Sequence, residues 1–209
     1  MDTTDALPLP PNHHAHFPGF SGPTGLILAA ALSAGREADG QLAIDLTSTG
    51  AGDTVIDIGC GTGAAARLAS RNGATVIGVD PSEPMRLVGR WLSLGRGGRG
   101  VELLDGAAES LPVADASATV AWSLACVHHW SDLDLGLAEA RRVLQPGGRF
   151  LAMERHTAPG ADGLASHGWT DAQADAFAEL CRAAGFEDVA VGRHQAGRKP
   201  VLTILARRP

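Results

Sequence analysis

The chain has no tyrosine and a single lysine, Lys199. Without tyrosine there is no Tyr-x-x-x-Lys pair, which weakens any assignment to nicotinamide oxidoreductases that rely on one. Cysteine is scarce too. Cys60, Cys126 and Cys181 are odd in number, far apart and without a C-x-x-C. That pattern excludes a disulfide framework or a zinc knuckle and suits a reducing cytoplasm. No apolar run approaches the ~20 residues of a membrane span. The N-terminus carries acids and prolines in place of a charged-then-apolar leader. The expectation is a cytoplasmic protein with no membrane partner. Basic charge is in deficit, and a net charge of −6 argues against nucleic acid. Arg86, Arg90, Arg96 and Arg99 cluster nonetheless, and read as a solvated helix face and loop. The scarcity of Lys and Tyr beside abundant Ala and Gly matches high-GC coding and carries no functional inference.

A chain of 209 residues is most simply one globular unit. Residues 1–50 read as an irregular arm rich in Pro, His and Gly, then short helices at Leu26–Arg36 and Leu42–Thr47. From residue 51 strands and helices alternate. Thr54–Ile58, Thr75–Val79, Val101–Leu104, Ala118–Ser123 and Arg149–Met153 read as strands. Helices are expected at 63–72, after Thr75–Val79 through about Leu94, from Ser131 with Asp134 as its capping partner, and from Thr170 with Gln173. Val189–Val191 and Val201–Ala206 flank a polar turn and read as a hairpin, after which the last residues end in solvent. Alternating βα units imply a mostly parallel sheet with helices on both faces. Ligands in such sheets sit beyond the carboxyl ends of the strands.

The most informative run is Val55–Gly63, VIDIGCGTG: a buried strand ending in an acid, then a turn through three glycines. Gly59, Gly61 and Ala64 also satisfy the dinucleotide pattern G-x-G-x-x-A. Asp80, ending the next strand, can take both hydroxyls of a ribose. Together these leave NAD and S-adenosylmethionine open. Asp57 favours the second, because its charge complements an ammonium or sulfonium and opposes a pyrophosphate.

Five blocks, VIDIGCGTG, VIGVDPS, AAESLP, VHHWSD and RRVLQPGGRF, cover roughly residues 53–153. In that order and spacing the chain resembles the class I S-adenosylmethionine-dependent methyltransferases, in particular the small-molecule group resembling ubiquinone-pathway enzymes. The resemblance implies a Rossmann-like α/β fold with a seven-stranded, mostly parallel sheet and one antiparallel C-terminal strand. Residues 51–209 would form the cofactor-binding domain and 1–50 a cap. Asp57 with the backbone of Gly59, Cys60 and Gly61 would hold the methionine end. Asp80 would take the ribose, Pro81 and Met85 would lie near the adenine, Ala108 and Glu109 would close its pocket, and Ser123 would lie beneath the sulfonium. Where the family often carries an acid before the Ala-Glu pair, this chain has Ala107. The adenine amino group then falls to Asp105, Glu109 or backbone.

Methyl transfer is an in-line displacement in which positioning does much of the work. A base helps when the nucleophile is a hydroxyl, and histidine is the natural one near neutral pH. His128, after the fourth strand, and Glu154 and His156, after the fifth, are the catalytic candidates, with Glu154 and His156 on one side if the strand continues. Arg155 and the arm residues His14, His16 and Phe17 are candidates for substrate contact or a lid. No metal is expected. The partner is a small molecule, the protein a monomer or homodimer, and the acceptor atom open. A non-methylating or partner-binding protein of the same fold, or a NAD-dependent oxidoreductase, are the alternatives.

Overall fold

The computed structural model describes residues 36–95, 100–161 and 167–209. The arm candidates His14, His16 and Phe17 lie outside the described residues, as does most of the Leu26–Arg36 segment. The elements follow the chain as α1 (Glu37–Thr47), β1 (Thr54–Ile58), α2 (Ala64–Arg71), β2 (Thr75–Val79), α3 (Glu83–Gly95), β3 (Val101–Leu104) and β4 (Ala118–Leu124). A 3-10 turn (Val127–His129) and α4 (Leu133–Val143) come next, then β5 (Leu144–Arg155), α5 (Asp171–Ala183), β6 (Glu187–Ala196) and β7 (Lys199–Arg207).

The seven strands form one sheet in the order β3-β2-β1-β4-β5-β7-β6. β7 runs antiparallel to both its neighbours, and the other pairings are parallel. The terminal hairpin and the mostly parallel sheet therefore match the sequence-based expectation. Side chains alternate across the sheet. Val55, Val76, Trp122, Leu151 and Met153 form one layer with Ala43 and Ile44 of α1 and Ala66 and Ala69 of α2. Ile56, Ala121, Phe150, Leu202 and Ile204 form the other with Leu137 and Ala140 of α4 and Phe177 and Cys181 of α5. Each large side chain buried here contributes roughly 1.5–3 kcal/mol.

Local details differ from the sequence reading where tertiary contacts intervene. The helix expected from Leu42 begins earlier, at Glu37, so the polar stretch before Leu42 is helical too. Gly40 there lets α1 approach α2 so closely that a Cβ would lie 2.9 Å from the Ala65 Cα. The buried Asp39 of the same stretch pairs with Lys199 at 2.7 Å, which ties α1 to the β6–β7 hairpin. Asp132, and not Ser131, caps α4, accepting from the Leu135 amide at 3.0 Å. β5 starts at Leu144 because that residue already pairs with Ala118. Arg208 does not end in solvent: it donates to the carbonyls of Arg141, Arg142 and Leu144 and so satisfies the C-terminal end of α4. The capping box of Thr170 and Gln173 forms as read.

Candidate functional site

The chain leaves β1 toward one edge of the sheet, through β2 and β3, and returns with β4 on the other side of β1. That reversal opens a crevice at the carboxyl ends of β1 and β4. The glycine turn after β1 borders it. The Gly59 and Cys60 amides donate to the Val79 carbonyl at 2.8 and 3.1 Å. The Gly61 amide donates to Asp80 Oδ2 at 2.7 Å, and that of Ser82 to Oδ1 at 2.8 Å. These N–H groups thus hold the turn itself against the end of β2, and what the turn presents to a ligand is bare backbone surface. Gly59 has φ +71, and a Cβ there would stand 1.9 Å from the Cys126 sulfur. Gly61 has φ +54 with nothing within 4 Å of its Cβ position, so its side faces open space.

Asp57 and Asp80 are both buried beside this turn. Burial, and next the charge of Asp80, push the Asp57 carboxyl up to about 7; Trp122 and Arg36 pull the other way. Trp122 is the register partner of Asp57 and shares its face. Its Nε1 meets no acceptor in hydrogen-bonding geometry among the described residues, but lies near enough to favour the carboxylate. Asp80 is also raised by burial, while the amides of Ser82 and Gly61 and the Arg86 guanidinium oppose the rise. Arg86 is not part of a solvated face: it is buried, donates to the Asp80 carbonyl at 2.6 Å and pairs with Asp105 at 2.7 Å. Arg90 likewise reaches the Leu103 carbonyl at 2.9 Å.

Pro81 is exposed and Met85 buried at the start of α3. Ala108 is buried, and Ala107 bridges to Ser110. Glu109 serves another part of the fold: its Oε1 accepts from the Ser131 amide at 2.5 Å, the Ser131 hydroxyl at 2.9 Å and the Asp132 amide at 3.1 Å. Ser123 is fully buried, and its hydroxyl has no hydrogen-bond partner among the described residues. The thiols of Cys60 and Cys126 are pushed well up, first by burial and then by neighbouring carboxylates. They are neutral packing groups, not nucleophiles.

On the opposite face from Asp57, the last residue but one of β5 meets the turn after β4. Glu154 is fully buried; its Oε2 lies 2.9 Å from His128 Nδ1, and its Oε1 accepts from the His128 amide at 3.3 Å. The His128 ring lies 4.0 Å from that of His129 and 5.7 Å from that of His167. His156 is not brought to this pair: its Nε2 lies 3.6 Å from Asp171, which also holds Arg193 at 2.9 Å. The Arg155 side chain is exposed, and its carbonyl accepts from Trp169. Among the described residues no three His, Cys, Asp or Glu side chains are gathered as a metal site.

Two residues escaped the sequence reading. Arg36, just before α1, reaches the Leu124 carbonyl at 3.5 Å and lowers both Asp57 and Cys126 electrostatically. Nothing local to Arg36 signals this, because the contact spans 88 residues. His167 stands beside His128 only because Trp169 pairs with His156 and draws its segment over the end of β5.

Sheet order, glycine turn and paired acids define a class of protein. Residues 56–152 match a family model described as a methyltransferase domain. The "Ubiquinone/menaquinone biosynthesis C-methyltransferase UbiE" of Rubrivivax gelatinosus is 39% identical over 107 residues, 51% of this chain and 41% of that protein. The chain therefore spans less than half the length of that curated relative. A "SAM dependent methyltransferase from Aquifex aeolicus" superposes with a TM-score of 0.73 at 17% identity, over 88% of this chain and 98% of that one. The "[4+2]-Cyclase SpnF" superposes with a TM-score of 0.70 at 22% identity, over 83% and 80%. Residues 56–152 thus match a methyltransferase domain, and the described residues have the class I S-adenosylmethionine-dependent methyltransferase fold.

The residues at the crevice fit that cofactor. The fully buried Ser123 hydroxyl, unpartnered among the described residues, the open cradle at Gly61 and two buried carboxylates, the Asp57 carboxyl raised to about 7, suit a close-fitting cation.

Proposed function

We propose that the protein transfers a methyl group from S-adenosylmethionine to a small-molecule acceptor by in-line displacement. The observation that carries this reading is the burial of Asp57 and Asp80 on either side of one glycine turn. Two carboxylates there would oppose a diphosphate and attract a cation. When bound, S-adenosylmethionine supplies an electrophilic methyl on a sulfonium that leaves as a neutral thioether.

In this reading Asp57 faces the ammonium end and Gly59, Cys60 and Gly61 lend it backbone surface. The Asp80 carboxylate accepts one amide on each oxygen and keeps acceptor capacity for ribose hydroxyls. Pro81, Met85, Ala107 and Ala108 lie on the adenine side and Ser123 beneath the sulfur, while Glu109 supports the α4 entry. Residues 1–50, with His14, His16 and Phe17, act with Arg155 in covering and selecting the acceptor. Calorimetry of the full chain with S-adenosylhomocysteine and with NADH tests the cofactor assignment. Binding of NADH alone would overturn it.

That this fold also serves a [4+2]-cyclase leaves room for a second reading, a protein that keeps the fold without transferring a methyl. Tight S-adenosylhomocysteine binding, with none formed from S-adenosylmethionine across a broad acceptor panel, would select that reading.

A further inference from the structure

Resting on the methyl-transfer reading, we propose that the acceptor carries an anionic group, a carboxylate or a phosphate, and that Arg155 is the residue that holds it. Charge is sorted across the carboxyl ends of the parallel strands. On the β2–β1 side stand the buried acids Asp57 and Asp80. On the β5–β7–β6 side stand Arg155, Arg193, Arg198 and Lys199, in a chain whose net charge is −6. β4 lies between the two sides.

Most of the nearby cations are neutralised or directed elsewhere by the fold. Lys199 pairs with Asp39 at 2.7 Å, and Arg193 with Asp171 at 2.9 Å. The His194 ring lies back over Gly192, its Nε2 2.5 Å from the place a Cβ would take. Arg36 reaches the Leu124 carbonyl and draws on Asp57, so it belongs to the cofactor's side. Arg155 differs. Its side chain is exposed and has no hydrogen-bond or ion-pair partner among the described residues. The neighbouring acid, Glu154, faces the other side of the sheet and is taken by His128.

The Arg155 backbone, meanwhile, is fixed on both edges. It is in register with Val201 of β7, and its carbonyl accepts from the Trp169 amide at 2.8 Å. It shares the sheet face of Val201 and Met153, two buried members of the layer under α1. That apolar layer ends where the guanidinium begins. An unpaired cation carried on a fixed strand end is preorganised for an anion brought to it. Its planar fork matches a carboxylate or a phosphate through two parallel N–H···O bonds. Arg198, exposed in the turn of the β6–β7 hairpin, adds a second positive charge to this rim. The negative charge of the whole chain opposes a polyanion, so the local excess of cations selects a small anionic molecule.

The first test reads binding without turnover. The full chain, saturated with S-adenosylhomocysteine, is titrated with benzoate, phenyl phosphate and benzamide while NMR follows the Arg155 Nε–H, assigned from Arg155→Gln. At least one of the two anions should bind and shift that resonance, and benzamide should leave it in place. The tighter anion tells a carboxylate from a phosphate. Arg155→Gln should weaken that anion about 10- to 100-fold, the scale of hydrogen bonds to charged groups. Arg182→Gln removes a cation at the far end of α5, where it reaches the Val189 carbonyl, and should change nothing. Failure of both anions to bind, or an equal loss in Arg182→Gln, overturns the proposal.

The second test follows S-adenosylhomocysteine formation from S-adenosylmethionine with the small metabolites of a cell extract, separated on an anion exchanger at neutral pH. Product should form with the retained fraction, and Arg155→Gln should raise KM for it more than it lowers kcat. Product formed with the unretained fraction alone overturns the proposal. Failure of the underlying reading looks different, since S-adenosylhomocysteine would then not bind at all.

Discussion

The Gly61 amide donates to Oδ2 of Asp80 at 2.7 Å, fastening the turn after β1 to the end of β2. One carboxylate thus shapes the cradle and stays available to a ligand. Asp80→Ala should weaken S-adenosylhomocysteine binding by about 1–3 kcal/mol, the scale of lost charge-assisted hydrogen bonds. Calorimetry checks this, and unchanged affinity would remove Asp80 from the cofactor site.

Asp57 should make cofactor binding depend on pH. Its carboxyl is raised to about 7, so it is mostly neutral at pH 6 and mostly charged at pH 8. A cationic ligand should bind more tightly at pH 8, and binding near pH 7 should release a proton, seen as a buffer-dependent enthalpy. The linkage for stability runs the opposite way. Between about pH 4 and about pH 7 the folded chain keeps a proton that the unfolded chain has lost. The Asp57 contribution to stability therefore falls as pH rises through that window. Asp57→Asn should raise Tm at pH 8 and make affinity lower and flat with pH.

Gly61→Ala separates conformation from contact. With φ +54 and open space at the Cβ position, the variant should fold with a loss of roughly 1–2 kcal/mol from the left-handed backbone. Its methyl would enter the cradle, so S-adenosylhomocysteine affinity should fall at least tenfold. A urea titration and calorimetry on the same preparation would show whether binding falls further than stability does.

Glu109 distinguishes a structural role from an adenine contact. Its Oε1 serves three donors at Ser131 and Asp132. Glu109→Ala should destabilise the protein by about 1–3 kcal/mol and leave S-adenosylhomocysteine affinity within twofold. A selective loss of affinity would return Glu109 to the adenine pocket.

The order of strands and helices was legible in the sequence because its signals are local. Apolar runs such as Val55–Ile58, stops such as Asn72-Gly73 and the Thr170–Gln173 box depend on neighbours a few residues away. Less legible were residues whose partners lie far along the chain. Arg86 looked like surface charge, yet the end of β2 buries it against Asp80. Glu154 and His156 were expected to share a side, and their backbone directions allow it. Glu154 nonetheless turns to His128, while His156 turns to Asp171.

By itself the sequence determined the class of fold and the cofactor chemistry. Glycines that free the backbone, and acids placed at strand ends, act through their own geometry and charge. Which side chains work together was settled by the sheet. Returning the chain so that β4 lies between β1 and β5 sets Trp122 beside Asp57, and Glu154 behind His128, across separations that no local pattern encodes. Burial in that sheet then sets the charge of each carboxyl, because the cost of removing a charge from water depends on what the finished fold packs around it.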